Sequence, residues 1–490
     1  MGKKYKNRVE LHCHTVYSTE DGTASIEDII NFAMREGMTS VAFTDHGNVS
    51  AYPEIQQCCE LREGFKPIYG MEGYVVNDID LLGENLYGSE EISIDTDVVV
   101  VDLETTGFSP LTEEIIEIAA VRITNGQIAD KFHTFVRPSK VIPEHISTLT
   151  GIDDLMVKDA DTIENILPEF LEFIGNSIIV AHSAQFDLGF IEESAIRSDI
   201  PFNYRSIDTV TLSRLIWPKL KRHSLDALMG ICSVSADNRH RAIDDAVATA
   251  KVYLKMIEKL KKKGLKTIGD IIGSIADCDE IIRSCPSYHI TILAKNKQGI
   301  SDLYKLVTDS NLRYFNSRPR ISISDLLNKR DNLLIGSACE AGLLGRSIRS
   351  TASYRRIEKI ASAYDFLEIQ PESELLWMVE NPREDNIHSV EDIRNYTDRI
   401  IELGEKLHKT VVAISDVHYL KLEDAVSRSA MMANLGYEDP TRVDNLYFRS
   451  TEEMLQEFSY LGDDKAYEIV VENSNKVAEQ IDFIRPLGHE

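Results

Sequence analysis

Long apolar runs are missing: no window of the 490-residue chain approaches eighteen consecutive apolar residues, so no membrane-spanning helix is expected. The opening Met-Gly-Lys-Lys-Tyr-Lys-Asn-Arg is charged and lacks the apolar stretch of a signal peptide. Seven cysteines (13, 58, 59, 232, 278, 285, 339) contain no C-x-x-C pair. That pattern argues against a disulfide framework and for a reducing, cytoplasmic setting. Positive charge is also scarce, with 53 Lys and Arg against 80 Asp and Glu, a formal charge of −27. Such a surface as a whole disfavours tight, sequence-independent duplex binding, which depends on neutralising phosphates. Nucleic-acid chemistry stays open, because clustered carboxylates can be metal ligands and a metal brings its own positive charge. What is present is ordinary globular material, 43% apolar and 27% charged, long enough for two or three domains.

Strand and helix patterns alternate along the chain. Arg8–Leu11 and Ser40–Thr44 read as strands ending near histidines and an aspartate. Between them Ser25-Ile-Glu-Asp28 opens a helix in capping-box fashion, and Gly37 stops it. Residues 77–95 form an acidic connection read as a linker. A second unit follows, with strands at 98–101 and 117–123, an Asn125-Gly126 hairpin signal, and helices near 162–174 and 185–197. Its last helix begins near His240, carries Val247, Ala250, Leu254 and Ile257 on one face, and ends in Lys261-Lys262-Lys263-Gly264. After a second linker at 264–286, runs at 288–293, 333–336, 366–369 and 411–414 look like strands of a parallel sheet.

Within the second unit lie Val101-Asp-Leu-Glu-Thr-Thr-Gly107, Ala181-His-Ser-Ala-Gln-Phe-Asp187 and His240-Arg-Ala-Ile-Asp-Asp-Ala246. Two-metal phosphodiester hydrolysis needs several carboxylates converging on a pair of cations. Asp102 and Glu104, two apart on a strand end, share one face. His240 stands just before the helix carrying Asp245, where a histidine suits proton abstraction near neutral pH. Each motif alone is commonplace; in this order over one domain they resemble the DEDDh 3′–5′ exonuclease family, across roughly 96–258. The resemblance implies a ribonuclease H-like α/β domain in which Asp102, Glu104, Asp187 and Asp245 hold two Mg²⁺ or Mn²⁺ ions and His240 is the general base. It also implies that Thr105, Leu149 and Thr150 contact the terminal nucleotide of a single-stranded or frayed DNA 3′ end. Ser183 departs from the asparagine common in that family, and a serine there is expected to cap the turn before Asp187.

Around this unit stand His12-Cys13-His14, Asp21, Thr44-Asp45-His46, Glu72, His289, Cys339 and Asp416-Val417-His418. Imidazoles, carboxylates and one thiol favour Zn²⁺, Mn²⁺ or Fe²⁺ over Mg²⁺ or Ca²⁺. The set resembles the PHP (polymerase and histidinol phosphatase) domain. That implies a distorted (β/α)7 barrel with up to three Zn²⁺, Mn²⁺ or Fe²⁺ ions on His12, His14, Asp21, His46, Glu72, His289, Cys339, Asp416 and His418. Asp45 and Glu340 are left unassigned, and Cys13 is expected to face away. The expected domains are residues 5–85 and 265–490 for the two PHP parts, with an exonuclease inserted at 94–262. This nesting resembles the PolC-type DNA polymerase III family, implying a polymerase core and other replisome subunits as partners and a proofreading role. No Asp-x-Asp pair follows His418, and Asp78-x-Asp80 and Asp277-x-Asp279 lie in polar linkers, so the chain is expected not to polymerise on its own. It reads as a fragment of a larger replicase or a shortened homologue. The outer site is open to two uses, as a phosphoesterase or as a metal-stabilised scaffold.

Overall fold

The computed structural model describes residues 6–487 except 19–20, 82–85, 87–88, 236–239, 277, 351, 382–383, 385 and 437–444. Asp277 and the opening residues 1–5, both named above, thus lie outside the described residues. In chain order the strands are β1 (Ser40–Phe43), β2 (Lys66–Val76), β3 (Val98–Thr105), β4 (Ile115–Thr124), β5 (Gln127–Phe135), β6 (Ile178–Ala181), β7 (Ser206–Asp208), β8 (Tyr288–Ala294), β9 (Arg320–Ser322), β10 (Leu333–Gly336), β11 (Phe366–Ile369) and β12 (Thr410–Ala413). Two compact units result: one of residues 1–76, 286–349 and 357–490, the other of 77–285 with 350–356. Among the described residues no helix is long and apolar enough to cross a membrane.

The outer unit is built on a seven-stranded sheet ordered β1-β2-β8-β10-β11-β12, with β9 beside β2. Residues 8–14 are extended but join the sheet only by isolated bridges, Glu10 to Val41 on one side and Cys13 to Val417 on the other. Amides of Ala42 and Thr44 donate to Glu10 and Cys13, and that of His14 donates to Val417, so this segment closes the path of strands on itself. β8 corrects the expectation of uniformly parallel strands, because it runs antiparallel to both β2 and β10. An apolar run such as Ile290–Ala294 encodes burial but carries no sign of direction. The helix Ile26–Arg35 begins as expected, with the Ser25 hydroxyl accepting from the Asp28 amide, and Gly37 follows it at φ 74°.

The inner unit holds the five-stranded sheet β5-β4-β3-β6-β7. β4 and β5 form the expected hairpin: Ile123 pairs with Ile128, and Asn125 and Gly126 both take positive φ, as a type I′ turn requires. Apolar side chains of β3, β4 and β6 pack with Leu167, Phe170 and Ile174 of helix Ile163–Ile174 and with Leu188 and Ile191 of helix Ala184–Arg197. The last long helix, Ala242–Lys262, buries Ala246, Thr249, Ala250, Tyr253, Ile257 and Leu260, whereas Val247 and Leu254 are only half-buried. The buried stripe is thus rotated from the expected one, because small Ala and Thr side chains let this helix lie close to the sheet. The stretch expected as a second linker contains helices Ile268–Ala276 and Asp279–Ser284. It also pairs with the first connection, Ile94 donating to Lys266 and Ile268 to Ile92, so the passages into and out of the unit run side by side. Adjacent ends are what tolerance of an inserted domain requires.

Candidate metal centres and active site

In the inner unit, oxygens of Asp102, Glu104 and Asp245 come within 4.8 Å of one another. Two of these acids come from β3 and the third from the first turn of helix Ala242–Lys262. Asp187, on the first turn of helix Ala184–Arg197, is buried and accepts from the Leu103 amide at 3.1 Å, between the two β3 acids. Burial pushes its carboxyl well above the usual range, and the neighbouring Glu104 and Asp208 carboxylates push the same way against the Leu103 amide. His240 stands in the left-handed region at φ 62°, and its amide donates to Asp245 at 3.2 Å. All five residues are therefore gathered at one end of β3.

The three candidate substrate residues differ. Leu149 is 49% exposed, whereas Thr105 and Thr150 are buried, their hydroxyls donating to the Gly107 and Ile146 carbonyls. Ser183 does precede helix Ala184–Arg197, but its side chain makes no cap. At φ 67° it turns its amide toward the Asp208 carboxylate instead, 3.2 Å away. Sequence reasoning passed over Glu117 on β4, opposite Glu104. Fully buried, it accepts from His133 (2.7 Å), from Arg241 (2.7 and 3.2 Å) and from the Ala242 amide (2.9 Å). Burial would raise its carboxyl, but these donors hold it down to about 2. It thereby fixes the start of the helix that carries Asp245. The signal was an acid inside an apolar run, Ile115-Ile116-Glu117-Ile118, where a buried charge demands a partner.

In the outer unit all nine expected residues meet. His14, His46 and His418 form one group, His12, His14 and Asp416 a second, and His46, Glu72 and His289 a third. Asp21 lies 3.1 Å from His418 and 3.5 Å from His46, and the Cys339 thiol lies 3.3 Å from His289. Because β8 runs opposite to its neighbours, His289 near its start reaches the same end of the sheet as His46, Cys339 and Asp416, which follow β1, β10 and β12. Glu340 groups with Cys339 and Asp416, whereas Asp45 is taken up by Thr15 and Ser18. Cys13 is buried apart from the groups.

The two central histidines are shifted in opposite directions. Burial pushes His14 down to about 3, and the neighbouring His46 and His418 rings, one stacked on it and one tilted, add to it. Burial acts the same way on His12, but the Glu72 and Asp416 carboxylates outweigh it and hold His12 well above the usual histidine range. Among the described residues, the buried ligand atoms His12 Nε2, His14 Nε2, Asp21 Oδ1, Glu72 Oε2 and Asp416 Oδ1 make no hydrogen bond. Buried polar atoms without a hydrogen bond are costly, and imidazole and carboxylate atoms facing one another in this way fit cations. Glu368 was also missed: it accepts from His12 Nδ1 at 2.9 Å and from the Ala338 amide at 2.9 Å, leaving Nε2 to face the cluster.

Residues 99–253 match the RNase_T exonuclease family. Over 98% of its length the chain is 43% identical to a DNA polymerase III PolC-type of Caldanaerobacter subterraneus subsp. tengcongensis, covering 34% of that protein. It is 40% identical over 99% of its length to the Clostridium perfringens protein of the same name, and 37% identical over its full length to that of Staphylococcus aureus. The chain thus spans about a third of the length of these relatives. Among solved structures, exonuclease X in complex with 5′ overhanging duplex DNA is 27% identical, with 36% of this chain and 99% of that one covered and a TM-score of 0.29. The nuclease domain of 3′hExo, a DEDDh family member bound to rAMP, is 22% identical, with 33% and 92% covered and a TM-score of 0.30. From end to end the chain is related to about a third of PolC-type DNA polymerase III, and its residues 99–253 are an exonuclease domain, a phosphodiester hydrolase.

Proposed function

We propose that the inner unit removes nucleotides one at a time from single-stranded or frayed DNA 3′ ends, as the proofreading activity of a PolC-type replicase. The supporting observation is the convergence of Asp102, Glu104 and Asp245 within 4.8 Å, with Asp187 and His240 beside them. The four carboxylates would hold two Mg²⁺ or Mn²⁺ ions. Such a pair, when bound, activates water and neutralises charge on the phosphate. His240 accepts the proton of the attacking water, and its tie to Asp245 keeps the ring's backbone in register with that acid. Leu149 offers an apolar face to the terminal base, while Thr105 and Thr150 shape the backbone around it. The product is a nucleoside 5′-monophosphate. Asp102→Ala and Asp245→Ala should each abolish the one-nucleotide ladder from a 5′-labelled, 3′-mismatched primer with Mg²⁺ or Mn²⁺, at unchanged circular dichroism. A ladder that persists in either variant sinks the assignment.

We read the outer unit as a PHP-type barrel around a centre of up to three Zn²⁺, Mn²⁺ or Fe²⁺ ions, supported by the buried imidazole and carboxylate atoms that make no hydrogen bond among the described residues. Its use is phosphoester hydrolysis or metal-dependent stabilisation of a unit that docks a polymerase core and other replisome subunits in the cytoplasm. His14→Ala separates these. Loss of metal together with p-nitrophenyl phosphate turnover supports hydrolysis. Loss of metal with only a lower Tm supports the stabilising role, and full metal content overturns both.

A further inference from the structure

Positive charge in this chain is concentrated in one place. Residues 205–263 hold thirteen Lys and Arg against six Asp and Glu, a balance of +7, while the rest of the chain carries −34. Seven of these thirteen lie on one stripe and one loop of the exonuclease unit. Lys251, Lys255, Lys259 and Lys262 recur at helical spacing along helix Ala242–Lys262, all exposed, on the side away from Ala246, Ala250, Tyr253 and Ile257. Lys259 lies 5.4 Å from the ring of Trp217, which begins the loop carrying exposed Lys219, Lys221 and Arg222. Lys255 pairs with Glu258, but Lys219, Lys221, Arg222, Lys251 and Lys262 make no ion pair with any described residue. Unbalanced like charges held side by side cost free energy unless an anion is brought to them.

We infer that this stripe and loop bind the phosphate backbone of the DNA strand behind the 3′ end being hydrolysed. The inference rests on the exonuclease reading above. The helix that begins beside the catalytic acids is also the ruler. At a rise of about 1.5 Å per residue, Lys251 lies roughly 9 Å and Lys262 roughly 25 Å along the axis from Asp245. With phosphates about 3.4 Å apart along a duplex strand, that span corresponds to about the third to the eighth nucleotide from the end. Lysine is a mobile point charge suited to phosphates without reading sequence. A strand that slides as it shortens needs such contacts, since its bases change at every step. They also give an acidic protein a local grip on DNA that its net charge denies it.

The test uses the full chain with Lys219→Ala/Lys221→Ala/Arg222→Ala and Lys251→Ala/Lys255→Ala/Lys262→Ala, alongside the corresponding lysine-to-arginine variant of the helix stripe. Rates are measured on a 30-nucleotide single strand and on p-nitrophenyl thymidine 5′-monophosphate, which has no upstream phosphates. The alanine variants should raise KM for the long strand about tenfold or more, flatten its salt dependence, and leave kcat and hydrolysis of the small ester unchanged. The arginine variant should behave as wild type. An unchanged KM and salt slope for the strand overturns the inference and returns the patch to an acidic protein partner. Loss of small-ester hydrolysis in the alanine variants overturns it as well, because the lysines would then be serving the site. A wild-type protein inactive on both substrates strikes the exonuclease reading, a distinguishable failure.

Discussion

Replacing Glu117 by glutamine keeps the side chain's shape and removes its charge. Glu117 is fully buried and accepts from Arg241, His133 and the Ala242 amide, and these donors bring its carboxyl from 4.5 down to about 2. That displacement corresponds to about 3 kcal/mol of stability at neutral pH. The sign follows from the direction. A depressed carboxylate contributes fully above its unfolded value near 4.5 and loses its contribution as pH falls toward 2. Glu117→Gln should therefore cost about 2–3 kcal/mol in urea unfolding at pH 7, since Arg241 is partly solvated and recovers some of the loss. At pH 3 the gap between wild type and variant should shrink markedly. Because Ala242 opens the helix carrying Asp245, kcat on a primer should fall as well, with KM nearly unchanged. An equal stability gap at pH 7 and pH 3 would refute the claim that charge, rather than shape, holds this corner.

Glu368→Gln should weaken metal retention by the outer unit about 10- to 100-fold in chelator competition, since the His12 ring loses its charged partner; unchanged retention counts against that positioning role. Gly336→Ala places a Cβ 2.2 Å from Glu368 Oε1 and 2.5 Å from the Phe366 ring, so a Tm loss equivalent to about 1–3 kcal/mol is expected, with metal content falling in parallel. Phe170→Ala opens the inner core between β3, β6 and their helices and should cost about 3–5 kcal/mol in urea unfolding, a loss that a shift in midpoint below 1 kcal/mol would contradict.

Much of this was readable before any coordinates, and the exceptions share a cause. The Asn125-Gly126 turn and the Ser25 cap are local devices, written in adjacent residues, and both formed as expected. The histidine and acid motifs were legible because each places several chemistry-bearing residues within a few positions. Glu117 and Glu368 were not, since each is a single acid in an apolar strand whose partners lie 124 and 356 residues away. The reversed direction of β8 is likewise set by which neighbours it meets, and Ser183 by the pull of Asp208 on its amide. The buried face of helix Ala242–Lys262 was misjudged because alanines and a threonine, weak hydrophobic markers, line it while Val247 and Leu254 lie at its margin.

In the outer unit Cys13 bridges to Val417, and the Ser415 amide donates to the Glu10 carboxylate across 405 positions of chain. On a ribosome adding roughly 5–20 residues per second, the first strands wait for roughly 17 to 70 seconds after β2 before their last neighbour emerges. The exonuclease unit is complete in that interval, nearly all of it continuous in the chain. Birth order therefore favours residues 77–285 folding first, while the contacts of Cys13 and Glu10 with Val417 and Ser415 wait until that later segment emerges.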